Sequence, residues 1–349
     1  METPAEKDSD PMTDSPIFDT ACADQLRMGV FAELEAMSVE ERGGRTPRAV
    51  ADWLLDSAFG GLAKTRALLG ENAAPLEPYL TVTVVFQEVA RRMWYIGRVH
   101  SGDRSLDWET RLLWDFTSAI VRDLYETTGS AVALTAQGFD APTKVLLRHA
   151  MELYARELVV MRDRKEQRAY LTELQRLRDF QNAGRDETGS APEYRAVGLA
   201  GGAMMDRVAL IEQNLDESSL PSREQAALTA TLLRDLYIYF SNLTHGGPEL
   251  VDDVLYVYDP TFPSGQRRRA WHFGRPTRDG DLALEYLTML LWQFWRYVPR
   301  ALERNKMADT AVGDVGVLLV AARALDRAVV SCFGGRLFSA LRDAKQPLP

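Results

Sequence analysis

Beyond residue 16, apolar residues recur every three to four positions along most of the chain, and this spacing predicts helices. Thr46 and Pro47 supply an N-cap and a first-turn proline for a segment carrying Val50, Trp53, Leu54, Ala58, Leu62 and Leu68, which Gly70 closes. Leu76 to Val99 predicts a second helix, although Val82, Val84 and Val85 make its start ambiguous with a strand. Ser105 to Gln137 reads as a third, with a break at Gly129 left open. A fourth opens at Ala141-Pro142 and runs to Arg164, and helix-favouring sequence continues to Gly184. After a polar loop, further helices fit Glu193 to Asn214, Ser222 to His245, Asp279 to Asn305 and Val315 to Asp343.

One region departs from this period. Val254 to Tyr258 is β-branched and aromatic, and Ala270 to Phe273 follows a turn region rich in Pro, Ser and Gly, so the pair reads as a β-hairpin near 254–273. No repeat and no βαβ rhythm occurs. The expected fold is all-α, mainly a helical bundle, with one small β-hairpin insertion. Residues 1–16 read as a disordered acidic tail, 17–128 as N-terminal helices packed on the main bundle, and 129–349 as the main helical domain.

Composition narrows the function classes. Against 41 Lys+Arg stand 50 Asp+Glu, a net charge of −9, which argues against a generally basic nucleic-acid coat. Only six of the basic residues are lysines (Lys7, Lys64, Lys144, Lys165, Lys306, Lys345), an arginine bias that fits GC-rich codon usage. Two distant cysteines, Cys22 and Cys332, give neither a disulfide framework nor a structural zinc spacing. The acidic start is unlike a secretory leader. The apolar runs at 286–295 and 315–333 are too short or are interrupted by Arg323, Asp326 and Arg327, so a cytoplasmic protein without membrane spans is expected.

Motifs for P-loop hydrolysis, dinucleotide binding, α/β-hydrolase chemistry and zinc proteolysis are missing. A terpene-cyclase reading also fails, because neither Asp52-x-x-x-Asp56 nor Asp252-Asp253 forms a convergent oxygen cage. His149 and Glu152 are three apart, but no second such pair exists among His100, His149, His245 and His272, so neither a metal nor another cofactor is expected.

What remains is a polar constellation on two helices. Arg148 and Glu152 are four apart and share a face. Tyr237, Ser241 and His245 recur every four residues as a polar ridge on an apolar helix ended by Gly246. Read functionally, Arg148 binds an anion and His245 serves as acid, base or ligand. Read structurally, Arg148 and Glu152 form an ion pair, His245 caps a helix C-terminus, Ser241 bonds back to a carbonyl and Tyr237 is core. Through Arg148, Glu152, Tyr237, Ser241, His245 and Gly246 the chain resembles a group of bacterial helical proteins classed as a domain of unknown function. Their hallmarks are an Arg-x-x-x-Glu helix and a Tyr-x-x-x-Ser-x-x-x-His-Gly helix. The match spans about 129–310. The resemblance implies an all-helical fold and brings no activity with it.

Two basic clusters stand against the negative total. Arg267, Arg268 and Arg269, with Arg275, Arg278 and Trp271 close by, suit a grip on phosphates with an aromatic ring to stack a base, or else a solvated loop. The second, from Arg162 to Arg178, alternates with Asp163, Glu166 and Glu173 and reads as an exposed salt-bridged face. Trp292, Phe294, Trp295 and Tyr297, at helical spacing among leucines, fit the core or a subunit interface, which leaves a homo-oligomer open; Trp94 and Trp114 read the same way.

The reading that results is a helical protein acting by binding, in an accessory or sensing role, with RNA or a phosphate-bearing ligand as partner class. The alternative is an HEPN-like ribonuclease, or another phosphodiester-cleaving helical enzyme of a toxin or defence system, with Arg148 and His245 at its centre. Arg267 to His272 fits the Arg-x(4–6)-His spacing of such nucleases, but on the hairpin rather than on a helix.

Overall fold

The computed structural model describes residues 22–69, 77–183, 201–213, 234–238, 240–241, 257–258, 267–268, 278–307 and 314–343. The helices are α1 (Cys22–Ala36), α2 (Pro47–Leu69), α3 (Glu77–Ser101), α4 (Trp108–Ala136), α5 (Asp140–Arg162), α6 (Arg164–Ala183), α7 (Gly201–Gln213), α8 (Arg278–Arg304) and α9 (Asp314–Asp343). Residues 234–238 and 240–241 are also helical. The fold is all-α. Strands β1 (Val257–Tyr258) and β2 (Arg267–Arg268) pair antiparallel, Val257 opposite Arg268 and Tyr258 opposite Arg267. The hairpin insertion expected from Val254–Tyr258 and Ala270–Phe273 is not supported: the paired residues 267–268 precede the second expected run, and 270–273 lie outside the described residues.

Local chemistry sets the helix limits. Thr46 Oγ1 accepts from Ala49 N at 3.2 Å, and Pro47 starts α2 where its missing N–H costs nothing. Asp107 caps α4 by accepting from Thr110 N at 2.8 Å, and those hydrogen bonds hold its carboxyl below the ordinary range. The valines at the start of α3 are buried in a helix, so burial overrode their β-preference. Helix α4 runs unbroken past Gly129. It ends where Gly138 takes a φ of 75°, with Gly138 N bonded to Thr135 O and Phe139 N to Leu134 O, both at 2.9 Å. This is a Schellman closure, open to glycine because it lacks a Cβ. It turns the chain directly into α5, the helix of Arg148 and Glu152.

Packing follows the chain for α3 on α4 and α4 on α5, then departs from it: α8 lies against α5, and α9 returns to α1. Trp114, Trp292, Trp295, Tyr154, Phe86 and Phe294 are the bulkiest fully buried side chains. The aromatic stripe of α8 is therefore core, as is Trp114, whereas Trp94 is only partly buried. Polar ties fix the α5–α8 contact. Tyr297 Oη donates to Leu158 O at 3.3 Å, and Asn305 Nδ2 to Met161 O at 3.0 Å. Across α4 and α5 the buried Thr135 and Thr143 hydroxyls meet at 3.1 Å. No described helix is long and apolar enough to cross a membrane.

Candidate functional site

Helix α5 carries Arg148 and Glu152 one turn apart, and Arg148 Nη2 lies 3.0 Å from Glu152 Oε1. Tyr237 approaches from the helical residues 234–238 and donates its hydroxyl to the same Glu152 oxygen at 3.0 Å. The Arg148 guanidinium carbon sits 5.6 Å from the centre of the Tyr237 ring, within cation–π range. Burial pushes the Tyr237 hydroxyl above its ordinary value; Arg148 pulls it down and the Glu152 carboxylate pushes it further up. The phenol therefore stays a neutral donor at physiological pH. One carboxylate oxygen thus takes a cation and a phenol together, and the ring faces the cation. Arg148 Nε is buried without a hydrogen-bond partner among the described residues.

These three residues are the part of the expected constellation that the fold brings together. Ser241 lies in the helical pair 240–241 and is half-buried. His245 and Gly246 fall outside the described residues, as do Arg269 and Trp271. Arg267 and Arg268 form strand β2. His149 contacts Asp123 Oδ2 at 3.1 Å through Nε2, and no group of three His, Cys, Asp or Glu side chains suited to a metal ion occurs among the described residues. The mixed-charge cluster from Arg162 to Arg178 is salt-bridged within α6 (Arg176 to Glu173) and outward from the α5–α6 region, Arg178 to Asp115 on α4 and Arg207 on α7 to Asp163.

Sequence reasoning passed over a second polar region. A cleft of about 490 Å³ lies between α8 and α9 beside α1, lined by Arg296, Arg300, Arg323, Arg327, Asp326 and Glu33, with Trp295 and Pro299 also in its wall. Trp292 Nε1 donates to Asp326 Oδ1 at 3.0 Å, and the Arg296 guanidinium carbon lies 5.6 Å from the Trp292 ring centre. Burial raises the Asp326 carboxyl against the pull of Arg296, Arg300 and Arg327. The available signal was a pair of Arg-x-x-x-Arg spacings, 296 with 300 and 323 with 327, each placing two cations on one helical face.

No family model matches the chain, and no curated protein or solved structure matches it either.

Proposed function

We propose that this protein acts by binding, as an accessory or sensing component in the cytoplasm, rather than by turning over a substrate. The observation that carries this reading is the mutual engagement of Arg148, Glu152 and Tyr237: a guanidinium and a phenol share one carboxylate oxygen. A phosphodiester-cleaving site needs its arginine available to developing charge and an acid or base that exchanges protons near neutral pH. Here Glu152 is already occupied by two donors, and the Tyr237 hydroxyl is held upward, away from a base. The trio instead ties α5 to the helical residues 234–238. In this reading the partner carries phosphate, either RNA or a smaller ligand, and the arginine-rich sequence of Arg267, Arg268 and Arg269 with Trp271 supplies residue types suited to it. The likeness to the bacterial helical family of unknown function rests on the same trio together with Ser241, His245 and Gly246.

The test is direct. Purified protein, His245→Ala and Arg148→Gln are each incubated with total RNA, and fragmentation is followed on denaturing gels. Intact RNA in all three supports binding. Cleavage that disappears in both variants overturns this reading and installs the ribonuclease alternative.

A further inference from the structure

We propose that Arg98, Arg111 and Arg178 form a site for the phosphate group of a small phosphate monoester, where α3, α4 and α6 meet. Arg98 stands in the last turn of α3, Arg111 one turn before Asp115 on α4, and Arg178 on α6. Arg178 pairs with Asp115, and Asp115 and Arg98 together line a groove of about 380 Å³. Burial pushes the Arg178 guanidinium below its ordinary value, and the cations of Arg111 and Arg98 push it further the same way. Three cations thus crowd one carboxylate.

Neither the Arg98 nor the Arg111 guanidinium makes a hydrogen bond or ion pair among the described residues. Arg98 is exposed, and the C-terminal end of α3 favours a cation there without any carboxylate. Arg111 is partly buried; Nε is its one nitrogen shut off from solvent, so both Nη groups stay open. The neighbouring carboxylates are engaged elsewhere. Asp103 feels the Arg111 charge, but it is Ser105 that donates to it, through both its backbone N–H and its hydroxyl. Farther along the groove Asp123 meets His149 and Glu126 pairs with Arg122. These two stand eight and eleven residues beyond Asp115, about 12 and 16 Å along the helix axis. Against three arginines there remain Asp115 and, at longer range, Asp103, so positive charge is in excess.

A terminal phosphate suits this arrangement. Guanidinium forks take phosphate oxygens two at a time, and a dianion offsets more than one cation. Trp94 and Ala119 line the same groove and offer apolar surface to the group that carries the phosphate. The volume lies in the range of small-molecule sites. Asp123 and Glu126 would repel a chain of phosphates continuing along α4, which favours one terminal phosphate over a nucleic-acid strand. The site shares no residue with Arg148, Glu152 and Tyr237 and does not rest on how that trio is read.

Isothermal titration calorimetry with phenyl phosphate tests this, with orthophosphate as the free-ion comparison and a single-stranded RNA oligonucleotide lacking terminal phosphates as competitor. The full chain, Arg111→Gln, Arg98→Gln/Arg111→Gln, Arg111→Lys and Arg48→Gln on α2 are compared, each checked for helix content by circular dichroism. The expected result is one site that prefers phenyl phosphate to orthophosphate. Affinity should fall about tenfold in Arg111→Gln and further in the double variant, with Arg111→Lys between and Arg48→Gln unchanged. Absence of binding at millimolar phenyl phosphate overturns the proposal, as does equal binding by the double variant. Orthophosphate binding as tightly as phenyl phosphate overturns the monoester in favour of the free ion. If the RNA displaces phenyl phosphate and loses affinity in the same variants, the site belongs to a nucleic-acid backbone and the monoester assignment falls. None of these outcomes depends on whether the chain cleaves RNA.

Discussion

Tyr237 and Glu152 are separated by 85 residues in the chain and by 3.0 Å between phenol and carboxylate. The bond joins two helices that reach each other only through tertiary folding, and the phenol ring also covers Arg148. Tyr237→Phe should keep the ring contact while removing the hydroxyl. We expect a loss of about 1 kcal/mol, the usual net worth of one hydrogen bond, read from urea unfolding. Tyr237→Ala should cost several-fold more, because it also empties a buried site. Equal stability of Tyr237→Phe and the parent would mean that the hydroxyl does not hold α5 in place.

Glu157 is wholly buried on α5 and accepts a hydrogen bond from Thr117 Oγ1 at 2.9 Å. Burial pushes its carboxyl up from 4.5 to about 8, only partly countered by Thr117. The folded protein therefore keeps a proton that the unfolded chain gives up above pH 4.5. This contribution to stability is complete below 4.5, falls as pH rises towards 8, and levels off beyond. The slope reaches at most about 1.4 kcal/mol per pH unit. Glu157→Gln keeps an acceptor for Thr117 and cannot ionise. The difference in unfolding free energy between parent and Glu157→Gln should shift in favour of the variant by a few kcal/mol between pH 5 and 8. A pH-independent difference would show that Glu157 ionises in the core without penalty.

His100 works in the opposite direction. It is buried, and its ring stacks on Trp114 with centres 4.9 Å apart and planes 22° apart. Burial lowers its pKa below 6.5, with Asp103 pulling weakly the other way. The folded state thus prefers neutral imidazole, and the stability this gives is present above pH 6.5 and lost as the pH falls below it. His100→Phe preserves an aromatic partner for Trp114 and removes the titration. Comparing the two by urea unfolding at pH 7.5 and 5 should show the parent losing more stability than His100→Phe on acidification. An identical loss in both would place the acid sensitivity elsewhere.

Much of the fold was legible because helix limits are written locally. Thr46-Pro47 marks the start of α2, and the Trp292-to-Tyr297 stripe marks a buried face, in residues close together in the chain. Val82, Val84 and Val85 were ambiguous for the converse reason: only the neighbours of α3 decide that these β-branched side chains are buried in a helix. The candidate site was legible in the same measure. The Arg148–Glu152 pair follows from helical spacing, whereas the choice of Tyr237 as third member is made by tertiary contact. Arg323 and Arg327 read along the chain as charges breaking up an apolar run. That they line one cleft with Arg296 and Arg300 depends on α9 packing beside α8, which no local pattern encodes.

The approach of α3 to α4 is set by one missing side chain. A Cβ built on Gly97 would overlap Ser118 Oγ and stand 3.2 Å from both Ser118 Cβ and the Trp114 carbonyl oxygen. Ser118 is held in that place by donating to the same Trp114 carbonyl at 2.6 Å, so its hydroxyl yields only by breaking a buried bond. Gly97→Ala gains helix propensity of about 1 kcal/mol but overpacks the contact, for which costs run about 1–3 kcal/mol. Since the obstruction includes backbone, the steric cost should win and the variant should unfold at lower urea than the parent. Adding Ser118→Ala removes the nearest obstacle and leaves the residue-118 Cβ and the carbonyl. The double variant should therefore regain part of the loss, a coupling that a double-mutant cycle reads directly. Strict additivity of the two substitutions would mean that Gly97 and Ser118 do not meet and that α3 and α4 lie farther apart.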